Sequence, residues 1–285
     1  MAQVQSLMKS AQLKDQALQA EEVPALAHDE AADMARAELE RYLALVETLS
    51  GEDWGQPTDC TLWSVADIVA HQAGAYAGFA NFAGFKATMG VKPAPGELQI
   101  DAINARQIKD RIARTPSENI AELREVGPKA INTRYKLPWL LRKLRVPVGP
   151  PLGTCAIEYM TDLLYTRDTW SHRLDIARAT GKDFVQDARH DGRMIALVMR
   201  DLAQLLHGKL GGQSVVFDLS GPAGDRYRIG ATAELSAVIR MTVEAFIRLS
   251  SERATAHEIK TSSAVSFSGD QGFAQQVIEL TSVPY

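Results

Sequence analysis

Asp168 and His172 stand four residues apart in the run Asp168-Thr169-Trp170-Ser171-His172-Arg173-Leu174-Asp175. A helical pattern without Pro or Gly runs from about Ala156 to Ala179 and closes at Gly181, where a helix C-cap belongs. On such a helix both side chains leave one face, with Cβ atoms roughly 5–6 Å apart. Thr161, Tyr165, Ile176 and Ala179 continue that stripe and bring more polar groups than a core-facing stripe requires. A carboxylate and an imidazole at this spacing can hold one divalent metal, as paired histidines do on zinc-protease helices. The same spacing also makes a plain ion pair on a solvated helix.

Other reactive side chains have weaker patterns. Asp67 precedes His71 by four residues, but Ser64 precedes Asp67 by three, which reads as a capping box. Asp175, three residues after His172, either orients that imidazole or pairs with Arg178. Cys60 reads as a small buried hydrophobe rather than a ligand or nucleophile, and Trp63 and Trp170 as core rather than a substrate platform. His190, His207 and His257 have no partner at metal-ligand spacing and are expected on the surface.

The elements that must position these groups follow from periodicity. Met34, Leu39, Tyr42, Leu43, Val46 and Leu49 make one apolar stripe between Asp29 and Ser50. A second helix starts at Ser64 and passes into the Ala/Gly-rich stretch after His71, which permits close helix approach or leaves room for a ligand. Helical stretches over Ile100–Arg114 and Ser117–Arg134 follow, split by Thr115-Pro116. Residues 137–153 carry four prolines, with Arg142, Lys143 and Arg145 beside Trp139, Leu140 and Leu141. They read as a surface crossover with solvated cations, or as a flap whose cations hold an anionic substrate. With the Asp168/His172 helix, four long helices suffice for a bundle.

After Gly181 the pattern changes. A helix from about Asp187 to His207 precedes strand patterns over 214–221 and 225–230, joined by a turn, with a third strand over Ser236–Met241. A helix over Thr242–Ser251, a strand within 262–270 and a helix over Gln271–Leu280 complete an α+β domain of about 100 residues. The boundaries read as 1–28, a frayed arm or accessory helix; 29–183, the bundle; and 184–285, the α+β domain.

Of the 285 residues, 46% are hydrophobic and 23% charged, as in a globular protein with sizeable cores. A net charge of −4 gives no reason to expect nucleic acid or an anionic membrane as partner, and no apolar run approaches the ~18 residues a membrane span needs. The first 28 residues lack the apolar core of a secretory signal, and two distant cysteines make no disulfide framework, so a cytoplasmic location is expected.

Two segments together resemble the mycothiol-dependent maleylpyruvate isomerase family, among the DinB-like metal-binding bundles. One runs from Asp53-Trp54 through Pro57-Thr58, Cys60, Trp63, Val65 and Asp67 to His71; the other is Arg167 through Gly181, with its carboxylate-x-x-x-His followed by Asp175-Ile176-Ala177-Arg178-Ala179-Thr180-Gly181. Ser251-Glu252-Arg253 and Ser268-Gly269-Asp270 fall near landmarks of that family's sterol-carrier-like second domain.

The resemblance implies an up-down four-helix bundle followed by a small α+β domain. It implies a three-ligand site for zinc or another divalent metal, made by His71, Asp168 and His172 with one coordination position left over. The family has Glu where this chain has the shorter Asp168. The implied cofactor is mycothiol or a similar low-molecular-weight thiol, the substrate a small electrophile, and the activity cis–trans isomerisation or thiol S-transfer. Arg253 is the candidate catalytic side chain, binding a substrate carboxylate, or else an arginine paired with Glu252 or a helix end. An apolar-ligand carrier with a non-catalytic bundle and a metal-dependent hydrolase use the same residues and stay open, as does a homodimer.

Overall fold

A computed structural model describes residues 17–149, 153–230 and 235–285. The chain divides into two compact units, one of residues 26–184 with 284–285, the other of residues 185–283 with the N-terminal stretch up to Ala25. No described helix is long and apolar enough to cross a membrane. Residues 1–16 of the expected N-terminal arm lie outside the described residues. Beyond them, Leu18–Gln19 form a short strand, β1, followed by a 3-10 turn over Ala20–Glu22. An arm or accessory helix was the expectation here. A two-residue strand has no periodicity to detect, and its partner lies some two hundred residues along the chain.

The helical unit begins with α1 (His28–Val46), then α2 (Val65–Ala80), α3 (Phe82–Met89), α4 (Gln99–Lys109) and α5 (Pro116–Tyr135). Its ends follow local chemistry. Ser64 Oγ accepts from the Asp67 amide at 3.3 Å while Asp67 Oδ2 accepts from the Ser64 amide at 2.9 Å, so Asp67 is committed to the cap of α2. Thr115 and Glu118 make the same box at α5, with Pro116 at the first helical position, where its missing N–H costs nothing. Tyr42, Val46, Ile68, Val69, Tyr76, Leu123, Ile131 and Ile176 share one buried cluster. The Ala/Gly-rich part of α2 serves close packing: a Cβ on Gly74 would stand 2.6 Å from Gln107 Cβ on α4.

Residues expected to be an irregular crossover are partly regular. A one-turn helix, α6 (Trp139–Arg142), leads into strands β2 (Arg145–Gly149) and β3 (Gly153–Ala156), an antiparallel pair with a register shift between Pro147 and Gly149. Proline is tolerated on such an edge, where its missing donor need not face a partner. The helix that follows is not uniform: a π-helical stretch over Tyr159–Leu164 precedes α7 (Tyr165–Thr180). Its wider turn shifts Thr161 against the stripe expected for a regular helix. Gly181, at φ +65°, ends α7 in the left-handed conformation.

The second unit carries α8 (Asp191–Leu206), β4 (Val215–Ser220), β5 (Arg226–Ile229), β6 (Ala237–Thr242), α9 (Val243–Ser250), α10 (Ala256–Thr261), β7 (Val265–Gly269) and α11 (Gln271–Glu279). The sheet order is β1-β5-β4-β6-β7, with β4–β6 and β1–β5 parallel and the other pairs antiparallel. Alternation along β4 and β6 buries Phe217, Leu219, Ile239 and Met241, and Phe217 meets Phe246 of α9 edge-on with centroids 5.8 Å apart. His190 is 7% exposed just before α8, where a surface position was expected, and its amide donates to Asp187 Oδ1 at 2.7 Å. Burial there follows from the turn that starts the helix. The other two histidines expected on the surface, His207 and His257, are exposed.

Candidate metal centre

Within the helical unit, α2 contributes His71 and α7 contributes Asp168 and His172. His71 Nε2 lies 3.3 Å from Asp168 Oδ2, and His172 Nε2 lies 3.3 Å from Asp168 Oδ1. The imidazole centroids are 5.2 Å apart with rings edge to face. One ligand atom from each of the three side chains lies within 4.8 Å of the others. Four donors about 2.0–2.1 Å from a tetrahedral zinc would be about 3.3 Å apart. Two nitrogens and a carboxylate at these separations could hold a divalent cation. The shorter Asp168 reaches both rings, using a different oxygen for each.

The cluster is buried on one side and open on the other. His71 and His172 side chains are 4% and 3% exposed, whereas that of Asp168 is 27% exposed. Burial works to raise the Asp168 carboxyl, but the charges of His172 and His71 and their hydrogen bonds outweigh it and hold the group well below the usual carboxylate range. Burial would lower His172; the charge and hydrogen bond of Asp168, with help from Asp175 and Cys60, raise it well above an ordinary imidazole. His71 Nδ1 is buried without a hydrogen-bond partner among the described residues.

A further layer orients these groups. His172 Nδ1 lies 2.9 Å from Asp175 Oδ2, so Asp175 turns Nε2 toward Asp168, while Arg178 Nε donates to Asp59 Oδ2 at 2.9 Å. Cys60 is half-buried, and its Sγ donates to the same Asp175 oxygen at 3.4 Å, which is more than inert packing. Gln72 Nε2 donates to Asp168 Oδ2 at 2.6 Å, and its Oε1 accepts from Thr169 Oγ1 at 2.9 Å, which fixes the amide's direction. Trp63 was expected in the core. Its indole lies over both histidines, with centroids at 4.8 Å from His71 and 5.6 Å from His172, because the loop before α2 folds back onto α7. Trp170 is fully buried, as expected of core. The Tyr42 hydroxyl is buried without a hydrogen-bond partner among the described residues, and burial, reinforced by the charges of Asp168, Tyr76 and Asp175, raises its pKa well above that of an ordinary tyrosine.

Other candidates lie apart from this cluster. Arg142 and Lys143 both pair with Glu158, at 3.3 and 2.6 Å, and Arg145 donates to the Thr154 carbonyl at 2.8 Å. The three cations of residues 137–153 thus have protein partners. Arg253 belongs to the second unit, half-buried after α9. Its amide donates to the Arg248 carbonyl at 2.8 Å across Glu252, whose φ of +60° ends that helix with a non-glycine left-handed residue. A cavity of about 530 Å³ in the helical unit is lined by Val46, Leu49, Trp54, Ile120 and Arg124, none of them a member of the metal cluster.

Gln72, Thr169 and Trp63 were not singled out as site residues. Gln72 had a signal, a polar residue beside His71 in an otherwise apolar helix. Trp63 was legible only as part of the resembling segment and Thr169 had no signal, since the roles of both depend on contacts between distant segments.

The family model described as "mycothiol maleylpyruvate isomerase N-terminal domain" matches residues 35–177. Crystal structures of a mycothiol-dependent maleylpyruvate isomerase and of a histidine-to-alanine mutant of it are 16% identical to this chain, with TM-scores of 0.52 and 0.53. Each likeness covers 85% of this chain and 93% of the other. At that identity it speaks for the fold. No curated protein matches the chain.

Proposed function

The chain belongs to the mycothiol maleylpyruvate isomerase N-terminal domain family, and from that membership we propose that it is a metal-dependent isomerase using mycothiol or a closely similar small thiol. The helical unit is read as a DinB-like bundle and the second unit as sterol-carrier-like. The observation that carries the reading is the convergence of His71, Asp168 and His172, whose ligand atoms, one from each side chain, all lie within 4.8 Å of one another. A divalent cation held there by His71, Asp168 and His172, zinc in this reading, would make a thiol nucleophilic near neutral pH, where a free thiol of pKa about 8.5 is mostly protonated.

The chain's own residues do the rest. Asp175 holds His172 with Nε2 facing the cation position, and Gln72 holds Asp168 in one rotamer. Trp63 covers the two imidazoles and keeps water from that side. The partly exposed Asp168 edge is where thiol and electrophile approach. Arg253 is proposed to bind a carboxylate of the substrate.

S-transfer to an electrophile would use the same groups, and the stoichiometry separates the two. Isomerisation returns the thiol unchanged, whereas transfer consumes one per turnover. The test is elemental analysis of the purified full chain, with turnover of maleylpyruvate assayed with and without mycothiol. Expected are about one divalent ion per chain, loss of that ion in His172→Ala, and thiol-dependent turnover without thiol consumption. Metal content unchanged in His172→Ala, or turnover indifferent to thiol, would refute the reading.

A further inference from the structure

His172 has a second ring nitrogen, and donors gather on that side too. Asp175 Oδ2 lies 2.9 Å from His172 Nδ1 and 3.4 Å from Cys60 Sγ. One donor atom each from Cys60, His172 and Asp175 lies within 4.8 Å of the others. Among the described residues, the only other such group is His71, Asp168 and His172. Thiolate, imidazole and carboxylate are the three kinds of side chain that zinc accepts. With zinc–sulfur bonds of about 2.3 Å and zinc–oxygen bonds of about 2.0–2.2 Å, tetrahedral sulfur and oxygen ligands stand roughly 3.5 Å apart. The Cys60–Asp175 separation already matches that value. The imidazole and carboxylate would part by about 0.4 Å, as an ion replaces the hydrogen between them.

The sulfur is held in place by its own loop. The Cys60 amide donates to Thr58 Oγ1 at 3.2 Å, and its carbonyl accepts from the Trp63 amide at 2.7 Å, which closes a turn. The neighbouring Asp59 ties that turn to α7 by accepting from Arg178 Nε at 2.9 Å. Trp63 then lies over His172. His172 and Asp175 are buried while Cys60 is half-buried, so a cation reaches this group from the loop side. The other cysteine, Cys155, is buried in β3 and belongs to neither group.

We propose that Cys60, Asp175 and His172 Nδ1 form a second cation seat, for a thiophilic divalent ion of the zinc class, back to back with the first across one imidazole. On coordination the thiol and the ring N–H each give up a proton to solvent. Two dications on either side of one ring repel, so this seat fills after the first and holds its ion more weakly. The protein as purified keeps the first ion alone. The function proposed above needs only that first ion, and the second seat goes beyond it.

The test is a titration of the full-length, chelator-treated protein with cobalt(II), without added thiol and without oxygen, read by equilibrium dialysis and by absorption. Cobalt held by nitrogen and oxygen alone absorbs weakly, whereas a thiolate ligand adds an intense near-ultraviolet charge-transfer band. Wild type is expected to take up a second cobalt ion per chain, with the band growing as it binds. Cys60→Ser should bind the first ion and lose the band; Cys155→Ser should keep both. If either variant fails to fold, wild type decides: the second cobalt should protect Cys60 from alkylation by iodoacetamide, followed by peptide mapping, and labelling indifferent to cobalt overturns the seat. The proposal is also overturned if wild type shows no thiolate band in a large excess of cobalt, or if the band survives Cys60→Ser. Turnover indifferent to thiol would sink the proposed function and leave this seat standing; thiol-dependent turnover in a protein that never shows the band would do the reverse.

Discussion

Asp175 shows how a site can depend on a side chain that need not touch the cation. Its carboxylate is fully buried and lies 2.9 Å from His172 Nδ1, so it selects the tautomer that leaves Nε2 free to face Asp168. Asp175→Asn keeps an acceptor but loses the charge that makes the imidazole a better donor of electrons. Metal affinity, measured by competition with a chromophoric chelator, should weaken about 10–100-fold, with melting of the metal-free protein little changed. Equal affinity in wild type and mutant would reduce Asp175 to a packing residue. At this scale the sequence was a good guide where two groups share one helix, since a four-residue spacing determines the face. It was a poor guide to Cys60 and Trp63, which reach the site through a loop whose path depends on both helices it contacts.

Among elements, α2 carries the most information. It is anchored by the Ser64/Asp67 box at its start and held against α4 at Gly74. Gly74→Ala gains about 1 kcal/mol of helix propensity but drives a methyl into Gln107 Cβ, and such overpacking costs about 1–3 kcal/mol. The net expectation is a lower melting temperature, with His71 still available to the cluster. The cap of α5 supplies a pH prediction. Hydrogen bonds from the Thr115 amide and hydroxyl lower the Glu118 carboxyl below its ordinary value. A folded-state pKa below the unfolded one means the contribution is present above the ordinary carboxylate pKa of about 4.3 and is lost as pH falls through the folded value. Glu118→Gln should therefore flatten the acid limb of the stability–pH curve; identical acid limbs would show that the carboxylate contributes nothing. Helix starts were legible because capping is local. The π-helical stretch was not, because one extra residue in a turn leaves the run of residue types unaltered.

For the molecule as a whole, the helical unit holds all four tryptophans, Trp54, Trp63, Trp139 and Trp170, so indole fluorescence reports on it selectively. A ligand that binds only the folded state stabilises by about 2.7 kcal/mol at a hundredfold excess over its Kd. Chelation should therefore lower the fluorescence-detected melting temperature by several degrees. In His172→Ala the chelator should have no effect; a shift there as large as in wild type would place the ion elsewhere. Among the described residues the second unit contains no comparable group of ligand atoms, so no metal-dependent transition is expected from it.

What the chain alone determined was the long helices, the α+β character of the second unit and the presence of Asp168 and His172 on one face, because caps, turns and periodicity act between near neighbours; the short helices α3, α6 and α10 were not legible. Tertiary structure decided which carboxylate meets His71, which way Asp175 points, and that Cys60 reaches the Nδ1 side of His172. Those outcomes depend on how α1, α2, α5 and α7 pack, and packing is a property of surfaces brought together from far along the chain.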